Sequence, residues 1–309
     1  MLSGDSHGSE TSTTTAVVQP SGMILMSMAG IGDQAAKLYE FDAGSQTLQV
    51  SPVQLFNPVE SVDGRYLVGA YVISDSTQKP NGIYTFDLRT RATTLFAQSV
   101  GTQHPRTPQL SPDDSMVVFN EPTAVGSSPS FFTPSSWDIY LAEEDGAPQL
   151  IAHGIYPHWS PDSSSVLYLG DDGLHLYDVA SSQDSLVYPV TGGHASTSLV
   201  FSLSKDGQEI ALADPGEGEL LVGGITSWQP FTIAITHIVS AYASWPVFSP
   251  DGTKLAYDTF DPVQATTTSQ ATDPELDVFD IQTGKIEQLF DLVPYTQSSF
   301  FATDWVTNL

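Results

Sequence analysis

Short runs of alternating apolar and polar residues recur along this chain, and each follows the same kind of turn. They cover residues 65–72, 116–120, 166–169, 209–213 and 254–257. A period of two puts successive side chains on opposite faces of a pleated strand, so each run predicts a strand. Further runs follow in each stretch: "GIYTFDLRT", "WDIYLAEEDG", "GLHLYDVAS" and "LDVFDIQTG", whose Asp, Gly and Thr ends are hairpin-turn chemistry. Then come "TTLFAQ", "PQLIAHG", "LVYPVTG", "FTIAITHI" and "EQLFDLV". None of these runs is long enough to cross a bilayer as a helix.

The turns align on Pro-x-Φ-Ser-Pro-Asp, where Φ is apolar. Clear copies begin at Pro108, Pro157 and Pro246, and weaker ones lie around Pro58 and Leu203. The Φ positions are 60, 110, 159, 203 and 248, so the repeat is 50, 49, 44 and 45 residues long. Four short antiparallel strands at that period predict the blade of a β-propeller. The first unit, "GMILMSMAG", "KLYEFDAG" and "TLQVSP", lacks an inner strand, and "FFATDWVTNL" at the other end supplies one. The prediction is an all-β, six-bladed propeller over residues 21–309, closed by its C-terminal strand, because an open ring would leave two strand edges unpaired.

"FSPDGTKLAY" and "WSPDSSSVLYL" resemble the TolB-type, or PD40, WD40-like propeller repeat over about residues 22–309. The resemblance implies propeller architecture. In that family such propellers serve as periplasmic binding and scaffolding proteins, as non-catalytic domains of prolyl-oligopeptidase-like peptidases, and as the body of some sugar-acid lyases. The two-layer N-terminal domain of TolB itself has no counterpart here.

Composition narrows the function classes. The chain carries 9 basic and 36 acidic residues, a net charge of −27, yet only 15% charged residues in all. Basic residues are scarce, which argues against nucleic acid as a partner, since phosphate binding needs clustered Lys and Arg. There is no cysteine, so disulfides, thiolate metal sites and cysteine nucleophiles are excluded. Residues 1–20 are polar and rich in Ser, Thr and Gly, and read as a flexible leader without an apolar signal core. A secreted or lipid-anchored form stays open. "LSG" at residues 2–4 resembles the end of a lipoprotein cleavage box, but Asp5 stands where the lipidated Cys would be.

Candidate chemistry is sparse. The Gly-x-Ser-x-Gly match at residues 4–8 lacks the strand and helix that a nucleophile elbow needs. Seven histidines show no metal-site spacing, and Asp171, Asp172 and Gly173 read as a tight turn rather than a calcium loop. Alternation predicts that Leu110, Trp159, Leu203, Phe248 and Trp305 pack between blades. Gln109, His158, Ser202, Val247 and Asp304 then approach the central channel. Candidate channel-mouth residues are therefore His104, Arg106, Gln109, His158 and Asp304. His104, His158 and Gln109 together faintly resemble the metal site of the oligogalacturonate-lyase-like propellers.

No metal or cofactor is expected. Long insertions between second and third strands, at residues 120–137 and 260–275, lie on one face. The first carries Phe131, Phe132 and Trp137 as candidate partner-binding residues. The expected function is a non-enzymatic, extracytoplasmic protein-binding or assembly module. The alternative is a metal-dependent lyase or hydrolase at the channel mouth.

Overall fold

A computed structural model describes residues 22–28, 37–71, 80–101, 105–123, 133–190, 199–214, 218–240, 243–259, 275–291 and 300–307. It forms six four-stranded antiparallel sheets, each ordered from an inner to an outer strand. These are the blades of a six-bladed propeller, as the repeat predicts. Blades two to six follow the chain, with inner strands Leu55–Glu60, Arg106–Leu110, Ile155–Trp159, Val200–Leu203 and Ala243–Phe248. Blade one is assembled from both ends: Phe300–Val306 is innermost and pairs with Met23–Met28, followed by Lys37–Asp42 and Thr47–Val50.

The repeated Ser-x-Asp is a turn-internal network. The Ser hydroxyl donates to the Asp carboxylate two residues on: Ser61 to Asp63, Ser111 to Asp113, Ser160 to Asp162, Ser204 to Asp206 and Ser249 to Asp251, all at 2.6–2.7 Å. The same hydroxyl accepts the N–H that begins the next strand, for example Met116 at 3.0 Å and Lys254 at 2.9 Å. All five serines are buried. The Asp residues are thus spent on holding the hairpin between the first two strands of each blade. Their hydrogen bonds also keep the carboxyls of Asp113 and Asp162 below the usual range, Ser111 and Ser160 contributing most.

The first proline of the repeat does something different. Asn57, Thr107, Tyr156 and Trp245 each stand just before it, with φ of +48°, +42°, +54° and +52°. At each of these places the register with the second strand slips by a residue. A left-handed residue before proline is uncommon, since proline pushes its predecessor toward extended geometry. These are β-bulges on the inner strands, and they bend each strand where it enters the channel. Blade five has no such proline, and Val200–Leu203 pairs without a slip.

The core lies between blades. Leu110, Trp159, Phe248 and Trp305 are buried at its inner edge, and Leu203 is half-buried. Ser27 accepts the Asn57 N–H at 3.0 Å and so ties blade one to blade two. Asp258 holds the corresponding place in blade six, three residues beyond the partner of the Φ residue. It is 5% exposed, and neither carboxylate oxygen has a hydrogen-bond partner. Burial pushes its pKa up to about 8.

Closure by the last strand sets one expectation. Trp305→Ala removes an indole that is 2% exposed, and should cost about 3–5 kcal/mol in denaturant unfolding. A chain ending at Ser299 should lose cooperative unfolding altogether, because the edge of Met23–Met28 opens and the core around Trp305 is lost.

Asp258 sets a second. Its folded pKa lies above the unfolded value of about 3.9, so its favourable contribution is full below that pH and fades as pH rises toward about 8. Each pH unit in that window should cost up to about 1.4 kcal/mol at this site. Urea unfolding of Asp258→Asn between pH ~4 and ~8 should show that slope removed, with D258N the more stable protein at the upper end.

Candidate functional site

The inner strands surround a channel that narrows at two levels. At the end where these strands begin, side chains from alternating blades meet. The Tyr156 and Trp245 rings pack edge to face with centroids 5.6 Å apart. They belong to blades four and six, so the contact passes over blade five. Trp245 also packs against Phe56 of blade two. The Arg106 guanidinium lies 4.5 Å over that same Phe56 ring, a cation–π contact. Burial pushes the Arg106 pKa down to about 10.

At the turn-bearing end a salt bridge crosses the channel. Lys205 Nζ lies 2.6 Å from Glu60 Oε2, and the two residues sit on blades five and two, opposite each other in a ring of six. The Glu60 side chain is 4% exposed and that of Lys205 26%. The Glu60 N–H donates to Asp304 Oδ2 at 2.6 Å, and the Trp305 N–H to Asp304 Oδ1 at 2.8 Å. Burial, helped by the Glu60 charge, pushes Asp304 up to about 6.

Two cavities lie along the channel, one of about 80 Å³ toward the aromatic end and one of about 110 Å³ around the ion pair, reaching the turn residues Pro112, Pro161 and Pro250. They share Val59, Gln109, His158, Ser202, Val247 and Thr303 along their walls, so they follow one axis. The His158 ring packs 5.0 Å from that of Phe201. Burial pushes its pKa down to about 4, against a smaller upward pull from the Phe201 carbonyl. His158 is therefore a neutral imidazole at ordinary pH.

The residues singled out from sequence separate here. Gln109, His158 and Asp304 come together around the lower cavity. Arg106 stacks on Phe56 instead, outside the lining of both cavities. His104, Phe131 and Phe132 lie outside the described residues. Trp137 needs correcting as a partner-binding residue: it is 2% exposed and packs in the core with Ile155, Leu169 and Leu174. It opens the strand Trp137–Glu143, and alternation turns its ring inward. Both ends of its loop are pinned, Thr123 N–H to the Ser136 carbonyl at 3.0 Å and Ser135 N–H to Asp171 at 3.1 Å.

Asn57, Thr107, Tyr156 and Trp245 reach the channel without having been singled out. Their signal was present: each immediately precedes the first proline of its repeat. Elsewhere, His175 sits between Asp172 at 2.7 Å and Asp184 at 2.9 Å. Burial lowers its pKa, but the two carboxylates outweigh that and hold it above the usual value. The turn at 171–173 thus spends Asp172 on a histidine. Among the described residues, no three His, Cys, Asp or Glu side chains converge on a cation position.

A closed ring of six blades with a C-terminal inner strand can be set against known structures. TolB from Acinetobacter baumannii matches at a TM-score of 0.59 and 17% identity, over 93% of this chain and 67% of that one. The chain shares the six-bladed propeller fold of TolB. A TolB protein from Agrobacterium tumefaciens matches at 0.53 and 18%, over 87% and 89%. An oligogalacturonate lyase in complex with manganese matches at 0.54 and 16%, over 87% and 75%. No protein-family model and no curated protein sequence matches the chain. A TolB-type propeller is a scaffold on which several activities are built, so function has to be argued from the site.

The ion pair across the channel is testable. Lys205→Met leaves the Glu60 carboxylate buried without its partner and should cost about 2 kcal/mol or more. That is below the ~3–5 kcal/mol of a wholly buried pair, because Lys205 is partly exposed. A cycle with Glu60→Gln, read by urea unfolding, should give a coupling of at least about 1 kcal/mol.

Proposed function

We propose that the protein is a non-enzymatic, extracytoplasmic propeller that binds a protein partner on the face carrying the long second-to-third-strand loops. The observation that carries this reading is the filled channel. Aromatic rings from blades two, four and six meet at one end and Lys205–Glu60 spans the other. The spaces left, about 80 and 110 Å³, are far below the roughly 300–1,000 Å³ of ordinary substrate pockets. So little space inside the channel supports recognition on the outer face.

Further support comes from the loop at residues 121–137. Its described ends are anchored, Thr123 to Ser136 and Ser135 to Asp171 of blade four, and Phe131 and Phe132 are the contact residues this reading assigns to it. The net charge of −27 favours a partner with a basic surface. The TolB likeness agrees with a binding module. The extracytoplasmic assignment rests on the same likeness. No helix among the described residues is long and apolar enough to cross a membrane.

The lyase or hydrolase alternative draws on the manganese-bound lyase likeness. It requires ligands in addition to His158 and Gln109, and His104 is the candidate the sequence offers.

The test is capture from an envelope extract with the immobilised protein, followed by cross-linking of the isolated partner. Phe131→Ser with Phe132→Ser should weaken capture by about thirtyfold while the thermal midpoint stays unchanged. Undiminished capture by the double variant rejects the loop as the binding surface. Chelator-sensitive cleavage of an oligogalacturonide by the wild-type protein establishes the alternative.

A further inference from the structure

The outer strands of the blades are not alike. In blade five the last two strands, Glu219–Trp228 and Phe231–Ser240, are ten residues each, whereas the outer strands of the other blades have four to seven. Phe231–Ser240 is the outermost strand of its sheet, so one side of its backbone has no strand beside it. It carries no Asp, Glu, Lys, Arg or Pro. Thr232, Ala234, Ile235, Thr236 and Ile238 are exposed, Ile238 to 68%. Of the usual guards of a sheet edge only bulges are present, at two slips in the ladder with Glu219–Trp228. A long, uncharged edge is a template for another extended backbone.

Beside that edge, between blades four and five, lies a pocket of about 230 Å³. Tyr188 and Val190 line it from the blade-four side, and Leu212 and Leu221 from blade five. Leu221 stands opposite Ile238 in the ladder, so the two side chains share a face and Ile238 continues the apolar wall to the edge. Asp214 and Glu219, which also line the pocket, are opposite each other where the second strand turns into the third. Like charges placed directly opposite destabilise a ladder, so a cation lying against both is favoured. No Lys, Arg or His is among the described residues of the pocket wall.

Size, backbone and charge together narrow the occupant. The pocket holds one or two side chains and falls short of the roughly 300–1,000 Å³ of ordinary small-molecule sites. The edge beside it is completed by N–H and C=O groups in ladder register, which another extended chain supplies. A second copy of this chain would set −27 against −27 and bring an uncharged strand of its own, with no cation for Asp214 and Glu219. We propose that Phe231–Ser240 takes up an extended segment of a partner protein as a fifth strand of blade five. A Lys or Arg of that segment lies against Asp214 and Glu219, and an apolar residue two positions on sits in the pocket beside Ile238. The spacing follows from the ladder, since positions opposite residues 240 and 238 share a face. In antiparallel pairing the basic residue comes first. The inference rests on the reading that the protein binds a protein partner, but not on the loop at residues 121–137.

The probe is the peptide Lys-Thr-Val-Thr-Val-Thr-Thr-Gly, N-acetylated and labelled with fluorescein at its C-terminus, added to the full-length protein. Anisotropy should show saturable binding. Binding should be about tenfold weaker with Glu in place of the peptide's Lys, and as weak when alternate peptide amides are N-methylated and cannot pair. Hydrogen exchange should slow at residues 231–240 when the peptide binds. Ile238→Lys, at an exposed position, should leave the thermal midpoint unchanged and weaken binding about tenfold. Glu219→Lys should reverse the preference, so that the Glu peptide binds better than the Lys peptide. The peptide series stands even if a variant does not fold. Equal binding of the N-methylated peptide, protection elsewhere than at residues 231–240, or a preference unchanged in Glu219→Lys overturns the proposal. Self-association of the protein alone that Ile238→Lys abolishes makes the occupant a second copy and overturns it as well. Absence of peptide binding, with capture from the envelope extract undiminished in Ile238→Lys, overturns this site and leaves the partner-binding reading standing.

Discussion

The hydrogen-bonded ladder between Phe300–Val306 and Met23–Met28 is the constraint on which everything else depends. It joins the two ends of the chain, places Trp305 opposite Ile24, and turns a row of blades into a ring. Without it two inner edges would be open to any passing strand. With it, residues far apart in sequence face each other across a narrow axis. Glu60, Lys205 and Asp304 form one hydrogen-bonded cluster because blades two, five and one are held around that axis.

The repeat unit divides into two halves with different jobs. Its Ser-x-Asp half closes the hairpin between the first and second strands, and its carboxylates are consumed by the turn itself. Its proline half bends the inner strand at the other end of the channel and directs Asn57, Thr107, Tyr156 and Trp245 to the axis. The acidic residue that draws the eye in the sequence is therefore structural. The variable residue before the proline gives the channel its chemistry. Left-handed non-glycine residues cost on the order of 1–3 kcal/mol each and persist where surrounding structure holds them. Here the ring supplies that support.

A chain with so few basic residues places them with purpose. Lys205 bars the channel at one end and Arg106 caps Phe56 at the other. Lys254 pairs with Asp280 at 2.7 Å, and Arg65 approaches Asp87 at 3.4 Å. The chain as a whole keeps a net charge of −27. The wall of the cavity toward the aromatic end holds uncharged polar groups among the described residues, including His158, Asn57, Gln109 and Ser202.

Local physics was enough for the architecture. Period-two alternation, turn chemistry and a 44–50-residue repeat are written in consecutive residues, so blade number, strand order and closure by "FFATDWV" could be read from sequence. The channel-facing set of Gln109, His158 and Asp304 followed from the same alternation. Trp137 was misread because a strand's first residue and a loop's last residue look alike until the strand's partners are known. The bulge residues escaped because a one-residue slip is a property of pairing between strands, not of either strand alone. The Lys205–Glu60 bridge escaped for a simpler reason: 145 residues separate the two, and only the tertiary ring makes blades five and two neighbours across a channel. The sequence by itself determined what each blade is. The tertiary structure decided which side chains the axis brings together, because that depends on ring closure and on the bend each proline puts into its strand.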